Sequence, residues 1–153
     1  MRVLLIEDDK NKLKHISAYL RTAFPDIELI ERSSYQSGLE TIMCESVDML
    51  LLDMSLPTYD VSLEEDGYEF DGFAGREILA ELKRHNVTLP AVVITQFETF
   101  GEGDEIVTLE ELDRQMKEQY GSLYRGAIYY SASQSEWKRS LQQIIGSFTS
   151  VRL

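Results

Sequence analysis

The chain has 153 residues, 43% of them apolar, which suffices for one domain with a hydrophobic core but not for two. Its 27 acidic and 15 basic side chains give a formal net charge of −12, which argues against nucleic-acid and membrane binding and favours basic protein surfaces as partners. A single cysteine excludes an intramolecular disulfide, and the N-terminal segment resembles neither a signal peptide nor a membrane span. We therefore expect one cytoplasmic domain over residues 1–153.

The chain begins with a predicted strand at residues 2–6, a short run rich in Val, Leu and Ile. Leu13, Ile16 and Leu20 then recur at helical spacing, which predicts an amphipathic first helix. His15 lies off this apolar stripe, so we expect a solvated surface histidine. The polar residues interspersed along the helix are Lys10, Lys12, Lys14 and His15.

A second strand is predicted at residues 27–30, and a third at residues 49–53. Between them, Ser33 or Ser34 can cap a second helix. Residues 58–74 are rich in acids and glycine without a sustained period, which predicts an extended loop.

Helical spacing resumes at Glu77 and ends near His85, where Asn86 can adopt the left-handed cap conformation. A fourth strand is predicted at residues 91–95, and a second extended loop at residues 97–107.

Thr108 and Glu111 form a predicted capping box for the next helix, and Gly126 is expected to end that segment. A fifth strand follows at residues 127–130 and a last amphipathic helix begins near Trp137. Five strands that alternate with five helices predict an α/β fold with a parallel sheet covered on both faces.

Three predicted strands end in polar side chains: Glu7 and Asp8 follow the first, Asp53 follows the third, and Thr95 ends the fourth. In a doubly wound sheet these ends meet at one edge. Carboxylates brought that close repel one another, so the site needs a divalent cation or raised pKa values. Mg2+ suits carboxylates combined with phosphate oxygens. Asp53 is then placed to act as a nucleophile that forms an acyl phosphate.

The chain resembles the receiver domains of two-component response regulators. The matching segments are VLLIEDD at 3–9, LLLDMSLP at 50–57, GREILAELK at 75–83, VVIT at 92–95 and RGAIYY at 125–130. The resemblance implies a flavodoxin-like five-stranded parallel sheet in the order 2-1-3-4-5, with helices on both faces.

The resemblance also implies roles for individual residues. Asp53 corresponds to the phosphoryl acceptor and Thr95 to the switch hydroxyl. The implied Mg2+ ligands are Glu7, Asp8, Asp53 and the backbone carbonyl of Ser55. The switch aromatic is expected at Tyr130 if Gly126 and Ala127 set the register, and at Tyr129 otherwise.

Three departures from the family pattern stand out, and one of them is the length of the two predicted loops at residues 58–74 and 97–107. The family's lysine after strand five should fall at Ser133 or Ala132, and neither is basic, which leaves open whether Lys138 or Arg76 replaces the charge. Gln96 follows Thr95 where the family usually has a small residue, which would narrow access to Asp53.

The leading hypothesis is a stand-alone receiver domain that is not an enzyme. A histidine kinase or another phosphodonor protein would phosphorylate Asp53 with Mg2+, and the signal would pass by contact to a downstream protein partner. The alternative is a phosphorylation-independent pseudo-receiver that acts as an interaction module. A third possibility is a phosphohydrolase with Asp53 as nucleophile, but such enzymes of the haloacid-dehalogenase type want an aspartate at position 55, which is Ser55.

Overall fold

The computed structural model describes residues 1–59, 70–101 and 103–151. Its central sheet has five parallel strands in the spatial order 2-1-3-4-5. The α/β class and the flavodoxin-like strand order predicted from the sequence are therefore confirmed. The strands are β1 Arg2–Ile6, β2 Glu28–Arg32, β3 Met49–Leu52, β4 Ala91–Thr95 and β5 Tyr124–Tyr129.

Helices cover both faces of the sheet, as a parallel sheet requires. One apolar cluster joins the sheet to the first and last helices, and the other joins it to the three helices between them. No helix within the described residues combines the length and the apolar character needed to cross a bilayer. The helices are α1 Lys10–Ala23, α2 Tyr35–Cys44, α3 Ala74–Arg84, α4 Leu109–Tyr120 and α5 Glu136–Val151.

Alternation along β4 assigns its side chains to the two faces. Val92 and Ile94 belong to the cluster beneath α1 and α5, whereas Ala91 and Val93 belong to the cluster beneath α2, α3 and α4. Successive side chains of a strand point to opposite faces, so the side chain of Thr95 falls on the α3 and α4 face.

Several helix ends form as the sequence predicts. Ser34, rather than Ser33, caps α2 in a capping box with Ser37, and the Thr108 side chain accepts a hydrogen bond from the Glu111 N–H at the start of α4. Asn86 has a φ of 54°, the left-handed conformation expected after α3.

The predicted boundaries of β5 are wrong. The strand begins at Tyr124, so Gly126 lies inside it, and α4 ends earlier, at Tyr120. The register with β4 shifts in this region, because Ala91 pairs with Tyr124 but Val93 pairs with Ala127. Gly126 has a φ of 130°, which lets the chain absorb the extra residue of a β-bulge.

Both predicted loops contain short antiparallel pairs. Leu56–Pro57 pairs with Phe70–Asp71, and α3 begins at Ala74 rather than at Glu77. Thr99–Phe100 pairs with Val107–Thr108 around a 3-10 turn at Gly103–Glu105. The acidic run predicted to form most of the first loop lies at residues 60–69, outside the described residues.

Candidate functional site

The carboxyl ends of β1, β3 and β4 meet at one edge of the sheet. Ile6 pairs with Leu52, and Leu52 pairs with Val93, so the residues that follow are neighbours. The structure thereby places Glu7, Asp53 and Thr95 at the ends of three adjacent strands, where they are 1%, 2% and 0% exposed. Polar side chains this deeply buried need partners, because unpaired burial is costly.

The principal partner is Lys12, a residue of α1 that is 1% exposed. Its Nζ lies 2.9 Å from Asp53 Oδ2 and 2.6 Å from Glu7 Oε2, and it donates a 2.7 Å hydrogen bond to the carbonyl oxygen of Ile94. Two of the three ammonium protons are therefore used in hydrogen bonds, to Asp53 and to Ile94. The contact with Glu7 is an ion pair without hydrogen-bond geometry, since Glu7 Oε2 has no hydrogen-bond partner.

Local structure aims Lys12 at the acids. Asp9 caps α1 by accepting hydrogen bonds from the N–H groups of Asn11 and Lys12, which fixes the first turn of the helix directly above the sheet edge. Lys12 lies four residues before Ile16, a core residue that is 0% exposed. A spacing of four residues places both side chains on one face of a helix, which here is the buried face.

Asp53 itself is fixed on both oxygens. Oδ1 accepts a 2.6 Å hydrogen bond from the N–H of Met54, and Oδ2 pairs with Lys12. Its backbone N–H donates to the carbonyl oxygen of Ile6. The carboxylate is thus held rigidly at the strand end, and each oxygen retains a further lone pair for a ligand.

The two acids that follow β1 have raised pKa values. Burial raises the pKa of Glu7 to about 7; the Lys12 ammonium opposes this shift and the charge of Asp53 adds to it. Burial also raises the pKa of Asp8 to about 6, helped by the nearby charge of Asp53. Lys12 therefore compensates the acid cluster only in part.

The oxygen donors at this edge of the sheet suit a magnesium ion. Among the described residues, no group of three or more His, Cys, Asp or Glu side chains is arranged to hold a metal. Glu7 and Asp53 each have one oxygen paired with Lys12, and Asp8 and the carbonyl of Ser55 are the other predicted donors. Mg2+ commonly binds through one or two carboxylates plus waters, so these oxygen donors fit it.

The two candidate switch aromatics lie at the carboxyl end of β5, and their side chains point to opposite faces of the sheet. Tyr129 is the last residue of the strand, and Tyr130 follows it directly. Tyr129 pairs with Thr95 in the register and is 44% exposed. Tyr130 is 3% exposed in the cluster beneath α1 and α5, where its hydroxyl forms a 2.8 Å hydrogen bond with His15 Nδ1. Side-chain alternation places Tyr129, not Tyr130, on the face that carries Thr95. The sequence pattern predicted a solvated surface histidine at position 15. His15 is exposed, but its ring also forms this hydrogen bond with Tyr130.

The cation that pairs with Glu7 and Asp53 belongs to Lys12, and not to Arg76 or Lys138, the two residues considered as replacements for the family's lysine. The guanidinium of Arg76 stacks 4.2 Å from the centroid of the Phe73 ring, and Lys138 Nζ lies 5.6 Å from the centroid of Trp137. Ala132, Ser133 and Gln96 are exposed. Sequence reasoning missed Lys12, although its position four residues before Ile16 and four after Asp8 was the available signal.

Solved structures share this fold. A response regulator receiver domain from Rhodospirillum rubrum is 21% identical, with a TM-score of 0.64 over 99% of this chain and 94% of that one. The receiver domain of the sensor histidine kinase PA1611 from Pseudomonas aeruginosa, with magnesium in its active-site cleft, is 19% identical, with a TM-score of 0.58 over 95% and 97%. The chain therefore has the fold of response regulator receiver domains, as its motifs predict.

Two curated bacterial proteins are similar along nearly the whole chain. The uncharacterized protein y4jR of Sinorhizobium fredii is 29% identical over 143 residues, which are 93% of this chain and 95% of that protein. The Detocs response regulatory protein DtcB of Enterobacter cloacae is 22% identical over 144 residues, or 92% and 95%. No model of a known protein family matches the sequence.

Proposed function

We propose that this protein is a response regulator receiver that accepts a phosphoryl group at Asp53 and signals through contact with a protein partner. The observation that carries the proposal is the position of Asp53 at the carboxyl end of β3, where its carboxylate contacts Lys12 and adjoins Glu7. The receiver fold and the similarity to a response regulatory protein support it.

In the proposed reaction, a carboxylate oxygen of Asp53 attacks the phosphorus of a phosphodonor such as a phosphohistidine or an acyl phosphate. The new bond joins that oxygen to phosphorus, and the bond from phosphorus to the donor atom breaks. The hydrogen bond from Met54 N–H and the ion pair with Lys12 hold the nucleophile still, which lowers the entropic part of the barrier.

Glu7, Asp8 and Asp53, with the backbone carbonyl of Ser55, would hold the magnesium ion. When bound, the ion supplies positive charge that neutralises the phosphoryl oxygens during transfer. The magnesium-bound receiver domain of similar fold supports this assignment.

The product adds negative charge at a buried edge, and the receiving group is proposed to be Thr95. Its hydroxyl oxygen accepts a 3.2 Å hydrogen bond from the Phe97 N–H, which leaves the hydroxyl proton available for a phosphoryl oxygen. A shift of Thr95 would be read by Tyr129, its neighbour in the register. A local charge event of this kind biases a two-state element and changes the surface that a partner contacts.

Intact-mass spectrometry after incubation with acetyl phosphate and Mg2+ tests the proposal. We expect one phosphoryl group per chain in the wild type, none in Asp53→Asn, and none when EDTA removes the metal. A folded wild-type protein that acquires no adduct would refute the proposal and favour a phosphorylation-independent interaction module. Steady release of phosphate from small phosphoesters would instead indicate a hydrolase.

A further inference from the structure

We propose that the ammonium group of Lys12 binds the phosphoryl group on Asp53. The cation that recognises the phosphorylated site then belongs to the first helix. The inference rests on the function proposed above, because it assigns the recognition of phosphate at that same site. Lys12 contacts the reacting group directly, since its Nζ lies 2.9 Å from Asp53 Oδ2. It is therefore a catalytic residue of the proposed reaction.

Burial of Lys12 needs an explanation beyond stability. Its side chain is 1% exposed, and the ammonium has lost all contact with water in exchange for two carboxylates and one carbonyl. A buried ion pair stabilises a fold no better than apolar residues of similar volume. The position of the charge on the nucleophile points to a role in the reaction.

Charge balance also favours this role. Within residues 1–59, 70–101 and 103–151, Lys12 is the only basic side chain paired with Glu7 or Asp53. Transfer replaces the single charge of the Asp53 carboxylate with a phosphoryl group of about −2. The ammonium already adjacent to Oδ2 is within reach of a phosphoryl oxygen on that carboxylate, so it can exchange Glu7 or the Ile94 carbonyl for the stronger anion.

Such an exchange would move the side chain of Lys12 and change the packing of α1 against the adjoining aromatic side chains. Lys12 Nζ lies 5.9 Å from the centroid of the Tyr130 ring, and the Tyr130 and Trp137 ring centroids are 5.2 Å apart. The Tyr130 hydroxyl is also linked to α1, through its hydrogen bond with His15. Displacement of Lys12 thus changes the surroundings of Tyr130 and Trp137, which link the first helix to the last.

The first test compares the rate of labelling by acetyl phosphate in four proteins at saturating Mg2+. They are the wild type, Lys12→Gln, the double variant Glu7→Gln/Lys12→Gln and the exposed-lysine control Lys14→Gln. The double variant removes one positive and one negative charge, so the formal charge of the cluster stays unchanged. It therefore avoids the loss of stability that an additional uncompensated buried carboxylate would cause. We expect wild-type labelling in the control and at least a tenfold loss, about 1.4 kcal/mol, in both Lys12 variants.

Magnesium affinity, measured by calorimetry, separates this role from a structural one. We expect Lys12→Gln to bind Mg2+ at least as tightly as the wild type, since the substitution removes a positive charge from beside the acids and alters none of the implied ligands. Wild-type labelling rate and adduct lifetime in the double variant would overturn the inference while leaving the proposed function intact. Failure of the wild type itself to label would overturn both.

A second measurement uses the unaltered chain. In protein labelled with 15N-lysine, the side-chain resonance of Lys12 should shift when beryllium fluoride and Mg2+ are added, whereas that of the exposed Lys14 should not. An unmoved Lys12 resonance at saturation by beryllium fluoride would contradict the inference.

Discussion

Lys12 and Asp53 are 41 residues apart in the sequence, yet Nζ and Oδ2 are 2.9 Å apart. Both side chains are nearly inaccessible to water, at 1% and 3% exposure. The pair joins the first turn of α1 to the end of β3, and it places a fixed cation on the carboxylate proposed to accept phosphate. Stability and chemistry at this edge of the sheet are therefore coupled.

The first prediction concerns the stability that this ion pair provides. Lys12→Met leaves Glu7 and Asp53 buried without their cation, and breaking a buried pair in this way costs about 3–5 kcal/mol. Urea unfolding without Mg2+ should show that loss, and Asp53→Asn in the Lys12→Met background should recover part of it. Lys14→Met, on the exposed side of the same helix, should change stability by less than about 0.5 kcal/mol. Equal effects at both positions would contradict the structure.

The second prediction concerns pH. The pKa of Asp8 is raised to about 6 from an ordinary value of 3.8, so between these values the folded chain binds more protons than the unfolded chain. Its contribution to the free energy of unfolding is complete below pH 4 and is lost as pH rises to about 6. In metal-free buffer, Asp8→Asn should therefore gain stability relative to the wild type as pH increases through this window. A difference independent of pH would disprove the assigned shift.

The third prediction tests the close approach of α3 to the end of β3. A Cβ at Gly75 would lie 2.7 Å from the carbonyl oxygen of Asp53 and 3.0 Å from Met54 Cα, and backbone atoms cannot give way easily. Gly75→Ala should cost about 1–3 kcal/mol in denaturant unfolding, as overpacking does. Gly146→Ala is the matched control, because its added Cβ would meet no described atom within 4 Å apart from its chain neighbours and the backbone of α5. It should stabilise α5 by roughly 0.5–1 kcal/mol. Tolerance of Gly75→Ala would show that α3 sits farther away.

The fourth prediction distinguishes Tyr129 from Tyr130. Tyr129 is 44% exposed and shares a face with Thr95, so phosphorylation or beryllium fluoride should bury it. Hydroxyl-radical footprinting should show at least a twofold fall in oxidation at Tyr129. Met43, 43% exposed on α2, serves as the control and should not change. A change at the buried Tyr130 with none at Tyr129 would reverse the assignment.

Much of the fold follows from local pattern. The bounds of β1 and β4 coincide with the predicted runs, because strands buried on both faces read as continuous apolar segments. The bounds of β5 could not be predicted, since the bulge near Gly126 depends on pairing with β4 and adds a residue that no periodicity signals. This one residue also decides whether Tyr129 or Tyr130 faces Thr95.

Part of the candidate site was predicted from the sequence, and part was not. Glu7, Asp53 and Thr95 could be found because each ends a strand, and parallel strands align their ends. Pattern alone did not identify Lys12, because a lysine in an amphipathic helix is normally solvated. Its burial depends on a tertiary contact between α1 and the ends of β3 and β4, and only the assembled sheet shows that two carboxylates lie within its reach.

The most direct test of the proposed function is chemical mapping of the acyl phosphate. Borohydride reduces an aspartyl phosphate to homoserine, so treatment after incubation with acetyl phosphate and Mg2+ marks the acceptor for peptide sequencing by mass spectrometry. The proposed function predicts homoserine at position 53, and none in protein kept in EDTA. Homoserine at another aspartate such as Asp8, or at no position in a folded and magnesium-saturated protein, would contradict it.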